Sequence, residues 1–361
     1  MQVFNCEACG HLIYFESLQC VHCGAAQAFL PDQLRVGILP SSQASRASGK
    51  GVGMSRYRAC AHRHDISLCN FAIEASDPHA LCVSCRQTEW LPDTGNPANQ
   101  LRWAKIEVAK RRLYYTLAKL GLEGPNTVTP AHLRFSLLAD IPGSAPIMTG
   151  HASGMITLNV VEADDDERAK RRLALHEPYR TLIGHLRHES GHFYWDQLIA
   201  HSAWLEPFRA LFGYEGNDYS QALKRHYDKD PFDTRWRQNF ISAYATSHAW
   251  EDWAETWAHY LHMVDLMETA SSYSTCITVP GIPNMGPQSI CNPLGAEPVD
   301  FELMQSQWVP LTLLHNSLNR SLGHEDAYPF AISATAWNKL RFVHDLILDN
   351  RQRSAAASAD R

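Results

Sequence analysis

The chain has 361 residues, 45% of them hydrophobic, which suffices for two domains with buried cores. Its formal net charge of −6 argues against general nucleic-acid binding, and no run approaches the roughly 18 apolar residues of a membrane span. The start carries no basic, then apolar, leader, so the expectation is a soluble cytoplasmic protein with no membrane partner.

Eight of the ten cysteines precede residue 86. Without a leader, such clustering points to thiolate metal ligands and away from disulfides. Cys6-Glu7-Ala8-Cys9-Gly10 and Cys20-Val21-His22-Cys23-Gly24 are two C-x-x-C-G knuckles. Two residues between thiolates let one tight turn aim both sulfurs at one ion. The following glycine accepts the backbone conformation that turns N–H groups toward sulfur. Paired knuckles give a closed tetrahedral zinc site over residues 1–30; a redox C-x-x-C would leave the second knuckle unexplained.

The Ser/Gly-rich stretch 41–55 reads as a linker. Cys60, Cys69, Cys82 and Cys85 then form a looser set over 57–90, in which only "CVSC" has knuckle spacing and His62 or His64 could replace a thiolate. A second structural zinc is expected there, against the alternative of buried unligated thiols.

Residues 99–120 mix Trp103, Ile106, Leu113 and Leu117 with lysines and arginines. That pattern predicts an amphipathic helix whose basic face is solvated or meets an anionic partner. Strands are predicted at 133–140 and 154–163, and a turn or short helix at the charged run "DDDERAKRR". Pro178 is expected to open a helix carrying His188-Glu189-Ser190-Gly191-His192, an H-E-x-x-H pentad. With 19 histidines, chance alone would produce such a pentad somewhere about one time in twenty. On a helix, however, the i, i+4 spacing brings His188 and His192 to one face at chelating distance. Glu189 then lies where it could take a proton from a metal-acidified water. Gly191 leaves room for another backbone to approach.

A second long helix is predicted at about 240–267. Within it Glu251 and Glu255 are also spaced i, i+4, so one carboxylate can bind metal while the other orients a ligand histidine. Buried among Trp250, Trp253 and Trp257, two glutamates without a metal or base would be costly. Tyr244, seven residues before Glu251, would share its helical face and could donate to an oxyanion; ordinary packing is the competing reading. His185 neighbours the pentad, while His201, His226 and His315 read as packed or solvated. Cys276 and Cys291 fall in a Pro/Gly-rich loop and read as free thiols. Helices follow near 301–322 and 334–349, and "SAAASADR" should fray.

The segments "TGHASGMITLNVVEADDDERAKRRLALHEPYRTLIGHLRHESGHFYWD" and "SAYATSHAWEDWAETWAHYLH" resemble a bacterial family of zinc-binding metallopeptidases whose members carry an N-terminal zinc ribbon. The resemblance extends from the knuckles to about residue 350. The run "EDWAE" is also similar to the "EFFAE" of anthrax lethal factor. Together these imply a zincin with Glu251 as third zinc ligand, Glu255 as an orienting group behind a ligand, and Tyr244 at the position of a catalytic tyrosine. Ser190 departs from the larger apolar residue expected in such a pentad.

The expectation is therefore an α+β protein. A zinc-ribbon module (1–90) precedes a mainly helical zincin-like domain with a small sheet (91–352) and a disordered tail (353–361). One catalytic and one or two structural Zn2+ are expected, with a peptide or protein substrate and a protein partner for the ribbon. The strand "GMITLNV" could pair with an extended substrate backbone. Two alternatives stand beside this: a zinc hydrolase of non-peptide amides, and a ribbon binding module with an inactive zincin scaffold.

Overall fold

The structure is a computed structural model that describes residues 1–39, 56–66, 68–124, 131–174, 181–230, 233–278 and 286–359. The linker expected at 41–55 and Pro178 lie outside these residues. The chain forms two compact units, one of Met1–Thr127, His132–Gly150 and Met155–Ala163, the other of Val128–Ala131, His151–Gly154 and Asp164–Arg361. The fold is α+β, with small sheets toward the N-terminus and helices after them.

The first unit begins with three antiparallel pairs: β1 (Phe4–Asn5) with β2 (Leu12–Ile13), β3 (Gln27–Leu30) with β4 (Arg35–Ile38), and β5 (Tyr57–Ala59) with β6 (Ala72–Glu74). Elements this short cannot build a core alone. Phe15, Phe29 and Phe71 supply one, Phe15 packed edge to face with the other two rings and Phe29 tilted against Phe71. Helix α1 (Pro97–Lys119) adds Tyr114 against Phe71 and Tyr115 against Phe15 and Phe29. It starts where Asn96 accepts from the Ala98 N–H, with Pro97 at its first position.

The expected solvated basic face of α1 needs correction. Lys110 and Arg111 are buried. Lys110 Nζ donates to Glu107 Oε1 at 2.8 Å and, by a very short contact, to Thr88 Oγ1, which itself donates to Glu107 at 2.8 Å. The partner Thr88 begins β7 (Thr88–Trp90), which pairs parallel with β8 (Arg134–Leu138). The full sheet order is β7-β8-β10-β9, with β9 at Gly150–Ala152 and β10 at Met155–Asn159. The strand "GMITLNV" is thus interior, and its backbone is not a free edge for a substrate to join.

The second unit is helical. The charged run forms α2 (Asp165–Ala174), its acids leading as the helix dipole prefers. Helix α3 (Leu182–Leu198) carries the pentad and is capped by Thr181, whose hydroxyl accepts from the Gly184 N–H at 3.0 Å. Short helices α4 (Leu205–Phe212) and α5 (Tyr219–Tyr227) follow. Helix α6 (Ala249–Ser272) starts nine residues later than expected, because His248 caps it and Tyr244–Thr246 is a separate 3-10 turn. A small hairpin pairs β11 (Cys276–Ile277) with β12 (Gln288–Ser289), and Cys276 and Cys291 are free thiols.

Helices α7 (Phe301–Ser321) and α8 (Ala334–Ala359) complete the unit. Residues 353–359 of the expected frayed tail are instead the end of α8, and the last two lie outside the described residues. Its alanine-rich sequence favours helix, and buried Ser354 donates to the Asn350 carbonyl at 2.9 Å. None of the described helices is long and apolar enough to cross a membrane.

Candidate metal centres

Three clusters among the described residues could hold a metal ion: Cys6, Cys9, Cys20 and Cys23; Cys60, Cys69, Cys82 and Cys85; and His188, His192 and Glu251. The knuckle geometry is the expected one. Gly10 and Gly24 have φ of 73° and 75°, and their N–H groups turn back to the Cys6 and Cys20 carbonyls. Cys6–Cys23 and Cys9–Cys20 sulfurs are 3.7 Å apart. Four thiolates around zinc at about 2.3 Å stand roughly 3.8 Å from one another, so the donor set fits that ion.

The second set fits equally. Cys69 Sγ is 3.7 Å from Cys82 and 3.6 Å from Cys85, and the Cys82 N–H donates to Cys60 Sγ at 3.3 Å. All four side chains are buried. The histidines considered as substitutes stand apart from this set: His62 packs edge-on to Trp103 and pairs with Asp65 at 3.9 Å.

The third cluster is built where α3 crosses α6. A Cβ placed on Gly191 would lie 3.0 Å from the Ala254 Cα and 3.2 Å from the Trp257 Cβ, so glycine permits the two backbones to meet. Trp253 Nε1 donates to the Gly191 carbonyl at 2.7 Å, and Trp257 Nε1 to Ser190 Oγ at 3.1 Å. That contact explains Ser190: a larger apolar residue would leave a fully buried indole N–H without its partner.

Close approach brings the two histidines of α3 onto one carboxylate of α6. His188 Nε2 is 3.0 Å from Glu251 Oε2, and His192 Nε2 is 3.5 Å from Glu251 Oε1. Nitrogen and oxygen ligands on a tetrahedral zinc are about 3.3 Å apart, so this set also fits. Glu255, one turn on, meets the opposite nitrogen, Nδ1 of His188, at 2.7 Å. Geometry thus separates the two glutamates, which spacing alone left open.

Electrostatics agree with the pairing. Burial opposes charge on His188 and Glu251, yet Glu251 and Glu255 hold His188 well above the ordinary histidine range, and His192 and His188 hold Glu251 well below that of a carboxylate. Against its own burial, Glu255 is brought down to about 2, chiefly by His188. A cation shared by these groups would replace the protons they exchange here.

Around the cluster stand the remaining candidates. Glu189 is buried, and its Oε2 has no hydrogen-bond partner among the described residues. Tyr244 lies before α6 and not on its face, yet its ring is 5.9 Å from that of His188. Burial, then the Glu251 charge, push its hydroxyl far above the usual tyrosine range. His226, expected to be packed or solvated, is packed edge-on to Tyr244 at 5.7 Å. Sequence reasoning passed over Tyr219, whose hydroxyl donates to Glu251 Oε1 at 2.6 Å. It sits in α5, 32 residues from its partner, and no local spacing links the two.

A family profile described as "Putative zinc-binding metallo-peptidase" matches residues 99–346, more than half of the chain. The chain belongs to that family. A zinc-ribbon domain profile matches residues 3–96 of the same metallopeptidase-family chain. Similar proteins include uncharacterized ones from Mycobacterium bovis and Mycobacterium tuberculosis. Each is 37% identical over 355 residues, covering 96% of this chain and 95% of theirs. No solved structure matches.

Proposed function

We propose that the protein hydrolyses peptide bonds as a zinc-dependent peptidase, with one catalytic zinc on His188, His192 and Glu251 and a structural zinc in each cysteine set. The observation that carries this reading is the convergence of both Nε2 atoms on Glu251, while Glu189, next in sequence to His188, holds a buried oxygen with no hydrogen-bond partner among the described residues. When bound, zinc supplies Lewis acidity that acidifies water and polarises a carbonyl.

The rest falls to side chains. Glu189 accepts the proton of the attacking water and passes it to the leaving amine. Tyr244, kept protonated by burial, donates to the oxyanion that develops on the scissile carbonyl. Glu255 accepts from His188 Nδ1 and so fixes which nitrogen faces the ion. The substrate is a peptide or protein, and the ribbon serves a protein partner. Eight thiols arranged as ligands and two free ones suit a reducing compartment, so a cytoplasmic setting belongs to this proposal.

Glu189→Gln tests it. The variant should keep its full zinc content by native mass spectrometry and lose about 10²- to 10⁴-fold in hydrolysis of quenched peptides. Wild-type rates in that variant would remove Glu189 from the mechanism.

A further inference from the structure

His151 lies on β9, outside the ligand set, and belongs to the same compact unit as the metal cluster. Its ring stacks toward that of His192, with centroids 6.5 Å apart and planes 19° apart. Phe193 meets it edge-on at 6.2 Å and Trp250 lies tilted at 6.3 Å. Both of its ring nitrogens are shielded from solvent, and neither has a hydrogen-bond partner among the described residues. The same is true of Trp250 Nε1, whose ring covers His192 at 4.0 Å.

Core histidines normally satisfy at least one nitrogen, because a buried polar group without a partner is costly. Here a histidine and a tryptophan, together offering two N–H donors in either neutral tautomer, flank one candidate metal-binding histidine with nothing among the described residues to bond. His151 is not a fourth ligand either, since its ring lies beyond that of His192 and outside the cluster whose donor atoms converge. Structural packing would explain the ring but not two orphaned nitrogens. A ligand that offers a hydrogen-bond acceptor beside the ion would satisfy both donors at once.

We propose that His151 and the Trp250 indole N–H together bind a main-chain carbonyl of the peptide substrate next to the scissile bond. This rests on the peptidase reading above. It makes His151 a substrate-binding residue that takes no part in holding the ion. His151 is only half-buried, which leaves it a side open to a ligand.

Two metal chelators test it. Acetohydroxamate can reach the ion but carries no peptide backbone, whereas a dipeptidyl hydroxamate adds main-chain carbonyls. Binding of each is measured by calorimetry on the zinc-loaded full chain, for wild type, His151→Ala, His151→Gln and Trp250→Phe, beside zinc content by native mass spectrometry. His151→Ala should bind the dipeptidyl probe about tenfold more weakly, the worth of one good hydrogen bond, with acetohydroxamate binding and zinc content unchanged. His151→Gln, which keeps an N–H donor, should recover part of that loss, and Trp250→Phe should lose several-fold on the dipeptidyl probe alone.

Equal losses on both probes, a missing zinc in His151→Ala, or no backbone advantage in wild type would each overturn the assignment. If wild type holds no ion at His188, His192 and Glu251, the peptidase reading itself fails, and the count of bound zinc distinguishes that case.

Discussion

Two tyrosines reach the metal cluster, and their positions give them different tasks. Tyr219 bonds the carboxylate of Glu251 itself, at 2.6 Å, so it fixes the orientation of the proposed third ligand. Tyr244 faces the His188 ring, hydrogen-bonds to Tyr219, and bonds neither Glu251 nor Glu255 among the described residues. Groups that orient a metal ligand typically affect affinity by 10- to 100-fold, whereas oxyanion donors affect turnover by about 10² to 10³. Tyr219→Phe should therefore weaken zinc binding about tenfold in competition with a chromogenic chelator, and saturating zinc should restore most of its rate. Tyr244→Phe should hold zinc like wild type and lose about 10²-fold in kcat. An exchange of these two phenotypes would reverse the assignment of the tyrosines.

At the scale of the helices, the site depends on how closely α3 and α6 cross. An alanine at 191 would gain about 1 kcal/mol of helix propensity. It would also press a methyl group against the Ala254 backbone at 3.0 Å, and overpacking of this kind costs about 1–3 kcal/mol. Gly191→Ala should thus lower the urea midpoint of the second unit with little change in slope, and loosen zinc as well. A rise in the midpoint would mean the crossing tolerates the methyl group.

This crossing was half legible in the sequence. The i, i+4 pentad fixes a face of α3 by geometry alone, and a glycine inside that face announces a close neighbour. The start of α6 was not legible, because Phe240, Ile241 and Tyr244 continue the apolar pattern while His248, an uncommon cap, ends it. Likewise Lys110 and Arg111 read as surface residues. Their burial follows from partners such as Thr88, brought near by strand pairing that local periodicity does not encode.

For the molecule as a whole, three candidate metal centres differ in exposure, and with an ion in each, as proposed, their ions should leave in a definite order. Cys9 and Cys23 are exposed at the first cysteine set, whereas all four sulfurs of the second are buried in the first unit. Binding of a structural zinc is worth on the order of 10 kcal/mol, comparable with the whole stability of a domain. Cys6 and Cys20 of the first set and all four cysteines of the second pack in one core with Phe15, Phe29, Phe71 and Tyr115, so only the first set, through Cys9 and Cys23, could release an ion without fully opening that core. Wild type should carry three zincs by native mass spectrometry, and Cys9→Ser, Cys82→Ser and His192→Ala two each. Under a strong chelator the ion of Cys6, Cys9, Cys20 and Cys23 should leave before that of Cys60, Cys69, Cys82 and Cys85. The slower phase should quicken with urea as the core loosens, and the faster one less so, since two of its four sulfurs are already at the surface. In Cys82→Ser only the slow phase should vanish, and limited proteolysis should then cut within the first unit while the His192-dependent zinc stays bound. If losing the buried zinc also empties the histidine site, occupancy of the three centres is not independent, and metal binding in one unit governs it in the other.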